Sequence, residues 1–136
     1  MTLITPEQRE QLLLNGHDIN REQDLFPVVK LFMTDDTGCW LLTQLDPDSP
    51  DNAYGLCDLG LGYAELGYVA VSDLESFAGK HGAPVVREEG FIPQYPISVY
   101  TRAARAAGHI TFEEHLLSIA AKEMAAIQRR LERWIP

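Results

Sequence analysis

No apolar run in the 136 residues approaches the roughly 18 that a membrane-spanning helix requires. The opening MTLITPEQRE also lacks a basic stretch leading into an apolar core, so no leader segment is expected. The expected location is the cytoplasm, with no membrane partner. Cysteine is scarce, since Cys39 and Cys57 are the only two and are not closely spaced. That excludes a disulfide framework and a cysteine-rich zinc site, and leaves buried thiols as the expectation. There is no His-Glu-x-x-His pair, and His17, His81, His109 and His115 fall in different predicted elements. No metal site and no cofactor is expected from such a set.

Basic residues are scarce in one half of the chain. Residues 1–68 hold twelve acids against Arg9, Arg21 and Lys30, whereas residues 69–136 are balanced at eight of each sign, so the net charge of −9 belongs to the first half. Such a surface repels a phosphate backbone, which argues against direct nucleic-acid binding and leaves a basic partner or mimicry of nucleic acid.

What is present reads as alternating helix and strand. In TPEQREQLLLNG, Thr5 and Gln8 have capping-box spacing, Pro6 suits the first helical position, and Gly16 is expected to end the helix in the left-handed conformation. FPVVKLFMT and CWLLTQLD flank the turn cluster DDTG as a hairpin, PDSPDN reads as an exposed loop, and AYGLCDLGL and LGYVAV read as further strands. Ser72 and Glu75 are spaced to cap a short helix, APVVREEGF reads as a strand, and ISVYTRAARAAG as a helix ended by Gly108. Thr111 and Glu114 then open a last helix of about twenty-four residues with a stripe at Leu117, Ala120, Met124, Ile127, Leu131 and Trp134. The stripe packs on the sheet or serves a dimer through residues 111–134, with Arg129, Arg130 and Arg133 free to meet acids on a second subunit.

GLGYAELGYVAV raises the question of a phosphate loop. Gly60, Gly62 and Gly67 do not have dinucleotide spacing, and strand rather than helix follows them, so no helix N-terminus faces an anion. The glycines are expected to form a hairpin corner, with Gly67 allowing a close approach. DPDSPDN resembles a calcium loop only superficially, because Asp51 stands where the turn glycine and Cys57 where the bidentate glutamate is required. A nucleophilic Cys39 or Cys57 would need a base beside it in the fold, which spacing does not reveal, and Ser49 and Ser72 are explained as loop and cap, so no catalytic residue is assigned. The candidate interaction surface is Tyr54, Tyr63, Glu65 and Tyr68 with Asp46, Asp48 and Asp51, because tyrosine rings anchor protein partners.

VVKLF followed by WLLTQLDPDSPDNAYGLCDLGLGYAELGYVAVSDLE resembles the core of the domain-of-unknown-function 2958 family of small bacterial proteins. The likeness is carried by Lys30, Trp40, Asp46, Pro47, Glu65, Leu66, Gly67, Tyr68, Leu74 and Glu75, covers about residues 1–100, and departs at Gln44, where an acid is expected. It implies a protein often encoded on plasmids, integrative elements or phages, and no known reaction, cofactor or catalytic residue.

The expected fold is α+β. An N-terminal helix, an antiparallel meander sheet of about 4–5 strands and C-terminal helices on one face would form a core at residues 1–96 with a helical extension at 97–136 packed on it. The expected function is non-enzymatic, an accessory of a mobile element that binds another protein and counters a host defence or DNA-binding protein through an acidic face. The alternative is a small enzyme with Glu65 as general base near Tyr63 and Tyr68.

Overall fold

The structure is a computed structural model that describes residues 2–17 and 23–134. Its elements are α1 (Pro6–Asn15), β1 (Val29–Met33), β2 (Cys39–Asp46), β3 (Ser49–Asp58), β4 (Ala64–Ala70), α2 (Val71–Ser76), β5 (Val85–Arg87), α3 (Ile97–Ala107) and α4 (Glu114–Trp134). The five strands form one antiparallel sheet in the order β4-β3-β2-β1-β5. Strands β1 to β4 are a meander, and the chain then crosses from the β4 edge to pair β5 with the free side of β1. This is the expected α+β architecture.

The sheet is covered on both faces. Alternate residues of each strand point opposite ways, so Val29, Leu31, Met33, Trp40, Leu42 and Ala53 pack with Leu12 of α1 and Val71 and Leu74 of α2. Leu41, Leu56 and Ala64 look the other way and pack with Val99, Ala103 and Ala104 of α3 and with Leu117 and Ala120 of α4. Helix α3 thus shares one core with β2, β3 and β4.

Local chemistry explains the joints. Thr5 Oγ1 accepts from the Gln8 amide at 3.1 Å while Gln8 Oε1 accepts from the Thr5 amide at 3.0 Å, the reciprocal cap expected for α1. A bulge at Thr43 shifts the β2–β3 register between Leu42 and Gln44, and its carbonyl accepts from the Asn15 amide group of α1 at 3.0 Å. Gly16 ends α1 in right-handed rather than left-handed geometry. Its role is steric, because a Cβ there would lie 1.8 Å from the Leu45 carbonyl oxygen. The close approach expected at Gly67 occurs instead at its cross-strand partner Gly55, where a Cβ would lie 2.0 Å from the Leu41 oxygen, while Gly67 faces open space.

Three further expectations are corrected. PDSPDN is not a loop, since β3 begins at Ser49 and pairs with Asp46 across a tight turn. Ser72 does not cap α2 with Glu75. It sits at the second position of the helix and gives its amide (2.9 Å) and hydroxyl (2.6 Å) to Asp51 on β3. Thr111 and Glu114 form no reciprocal cap: Thr111 Oγ1 accepts from the Glu113 amide, Glu114 accepts from the Tyr95 hydroxyl at 2.6 Å, and α4 runs for 21 residues.

Aspartates recur as ties between distant segments. Asp24 accepts from the amide and hydroxyl of Ser98 at the start of α3, as Asp51 does for α2. Asp35 Oδ2 accepts from the amides of His81 (2.9 Å) and Ala83 (3.0 Å), which pins the crossing segment. Asp58, only 2% exposed, accepts from the Gly60 amide with one oxygen and from the Ile110 amide with the other, both at 2.9 Å. It clamps the β3–β4 corner, where Gly60 and Gly62 have φ of 79° and 93°, to the turn between α3 and α4.

Two outcomes are expected. Asp58→Asn leaves one amide without an acceptor and is expected to cost about 1–3 kcal/mol in urea unfolding; an unchanged midpoint would remove the clamp from the fold's supports. The Ala83 amide holds the Asp35 carboxyl below its ordinary value, and the Ser72 hydroxyl does so for Asp51. A carboxyl with a lowered folded-state pKa stabilises fully above its unfolded value and stops doing so as pH falls through the folded one. Below the ordinary value of 3.8, the urea midpoint should fall less steeply in Asp35→Asn/Asp51→Asn than in the wild type. Equal slopes would contradict this.

Candidate functional site

Of the predicted tyrosines, Tyr54 and Tyr68 meet at one edge of the sheet, and Tyr63 lies in the corner that leads into it. Strand β4 is an edge strand, and Tyr68 lies opposite Tyr54 with ring centroids 5.0 Å apart at 64°. Such edge-to-face contact suits aromatic quadrupoles. Tyr54 is half-buried, while Tyr68 is 63% and Tyr63 54% exposed. Leu59 and Leu61 in the β3–β4 corner and Leu66 on β4 are exposed as well. An apolar strip thus follows the corner and the open strand edge.

Glu65 belongs to a different environment. It lies opposite Cys57, and it is separated from Tyr68 by three strand positions, so the two side chains leave opposite faces of β4. Glu65 is exposed, and with Tyr63, Leu66 and Arg105 it rims an open surface depression. The arrangement supplies no enclosed carboxylate beside Tyr68, which the general-base alternative requires.

The six aspartates around β2 and β3 are divided between two ends of the sheet. Asp46, Asp48 and Asp51 lie at the β2–β3 turn, where Asp46 Oδ1 accepts from the Asp48 amide at 2.9 Å and Asp51 is bonded to Ser72. Asp35, Asp36 and Asp58 lie at the other end of β2, ~23 Å away at strand rise. Among the described residues no group of three His, Cys, Asp or Glu could hold a metal ion. No described helix is long and apolar enough to cross a membrane.

The cysteines are half-buried and sit on opposite faces, Cys39 opposite Asp58 and Cys57 opposite Trp40. Desolvation pushes the Cys39 thiol up to about 12 and the Cys57 thiol up to about 11, so neither is a thiolate nucleophile at neutral pH.

One arrangement was not found from the sequence. Lys30 stands between Val29 and Leu31 on β1 and points to the face opposite theirs, with its side chain only 16% exposed. Its ammonium lies 2.8 Å from Glu88 Oε1 and 3.8 Å from the centroid of the Phe112 ring. Both line a partly enclosed pocket of about 210 Å³ with Phe91, Tyr100 and Leu117. A lysine amid the apolar run VVKLF was the available signal, because an inward lysine must find a partner.

The last helix leaves its end bare. Only Leu117 and Ala120 of α4 are buried, both in its first two turns, whereas Leu131 is 55% and Trp134 84% exposed.

No curated protein and no solved structure matches the chain. The model of the family described as "Protein of unknown function (DUF2958)" matches residues 3–111, from ahead of α1 through α3, and the chain belongs to that family.

Proposed function

We propose that the protein is a non-enzymatic accessory of a plasmid, phage or integrative element, acts in the cytoplasm, and binds another protein along the open edge of β4. The observation that carries this reading is the exposed strip of Leu59, Leu61, Tyr63, Leu66 and Tyr68 beside an unpaired strand edge. Open edges invite pairing and are usually blunted by lysine or proline. AELGYVA, the whole of β4, contains neither, and Glu65 is its one charge. A partner strand added there would gain backbone hydrogen bonds, with the tyrosines supplying anchors. The mobile-element context rests on the family resemblance. The geometry favours this edge over an acidic face, because the aspartates are divided between two ends of the sheet and several are bonded to backbone amides.

A second surface serves self-association. Leu131 and Trp134 continue the stripe of α4 beyond the part that packs on α3, and Arg129, Arg130 and Arg133 flank it on an otherwise acidic chain.

Capture from lysate of a plasmid-bearing bacterium, with the wild type beside Tyr63→Ala/Tyr68→Lys, tests the first surface. A partner retained by the wild type and reduced at least about tenfold in the variant is expected, and identical captures would refute the β4 edge. For α4, light scattering is expected to give twice the 15.2 kDa chain mass for the wild type. Leu131→Asp/Trp134→Asp should scatter as a monomer with unchanged helix content, whereas a wild-type monomer at high concentration would overturn the dimer.

A further inference from the structure

We propose that the pocket around Lys30 and Glu88 binds a small, uncharged planar heterocycle that carries a hydrogen-bond donor beside an acceptor, the edge presented by nucleobases. Three groups in the pocket have bonding capacity that the described residues leave unused. An ammonium offers three donors. Lys30 gives one to Glu88 Oε1 and lays another side against the Phe112 ring, and it meets no second acceptor among the described residues. Glu88 Oε2 has no partner among those residues and stands at the pocket mouth, its side chain 40% exposed. Tyr100 is buried, and its hydroxyl oxygen accepts from the Gln94 amide at 3.2 Å, while its own O–H reaches no acceptor there. Unused donors in a partly buried site point to a ligand acceptor.

The pair of Lys30 and Glu88 sets the chemistry. Side by side at 2.8 Å they present an N–H donor next to a carboxylate acceptor. The complement is a C=O or ring nitrogen adjacent to an N–H, as on uracil, guanine, cytosine and adenine. Phe91, Phe112 and Leu117 supply apolar walls for a flat ring, and Phe91 and Phe112 stand edge to face at 82°. The volume of about 210 Å³ equals about seven waters, which suits one or two fused rings and falls short of the ~300 Å³ where drug-sized sites begin.

Charge narrows the class further. Glu88 already neutralises Lys30, and the chain carries −9, so a phosphorylated ligand or a nucleic-acid strand gains little here. A free base or nucleoside meets no such cost.

The test is an amide-proton/nitrogen NMR titration of the full chain with uridine, guanosine, cytidine and adenosine. Dimethyluracil and caffeine, whose ring nitrogens lack the donor, and benzoate, a planar anion, run as controls. At least one nucleoside is expected to saturate at millimolar concentration or below, with shifts centred on Lys30, Glu88, Tyr100 and Phe112. Glu88→Gln and Lys30→Met should weaken it at least about tenfold. Should Lys30→Met fail to fold, Ile92→Trp at the exposed rim closes the mouth without touching the core, and it should weaken binding equally. No saturation by any nucleoside, equal binding of dimethyluracil, preferential binding of benzoate, or indifference to Ile92→Trp would each overturn the proposal.

Discussion

Carboxylate oxygens accepting backbone N–H groups from remote parts of the chain are the constraint on which the rest of this fold depends. A meander needs no such help, because each strand meets the next through a short turn. The difficulty begins after β4, when the chain must cross to the far edge and then lay two helices over the other face. At each joint an aspartate takes up amides that the ends of short elements leave unpaired. Asp51 does so at α2, Asp35 at the crossing segment, Asp24 at α3 and Asp58 at the turn into α4. Four of the twelve acids in the first half are committed to these ties. Part of that composition answers to the chain's own unpaired amides.

Where the signal was local, the fold was legible. The cap at Thr5 and Gln8, the β1–β2 hairpin and the glycine stop of α3 all depend on residues within a few positions of one another. Failures came where a distant group intervened. Ser72 has the sequence of a cap but is held by Asp51 from another strand, and Gly55 gives no warning that a bulge at Thr43 brings the Leu41 carbonyl against it. PDSPDN is built wholly of Pro, Asp, Ser and Asn, yet the sheet extends through it because a two-residue turn at Pro47 and Asp48 suffices.

The candidate site was legible in identity and not in arrangement. Tyr54 and Tyr68 were named as a cluster, and their pairing required the β3–β4 register. Strand period alone puts Glu65 and Tyr68 on opposite faces of β4. In the sequence Lys30 figures as a charge and as a mark of resemblance. Its ion pair with Glu88 spans 58 positions and depends on β5 returning to β1, which nothing in the spacing of the strands reveals.

Helix α4 rises from the wall of the same pocket, since Phe112 precedes it and Leu117 lies in its first turn. Its packed part ends near Met124, leaving about ten residues, ~15 Å, with no support from the sheet. A rigid rod held only at its root amplifies any tilt there, and a rotation of about 20° would sweep the tip through ~5 Å. The geometry is that of a lever, with its fulcrum where the pocket wall is built and its free arm carrying Leu131 and Trp134.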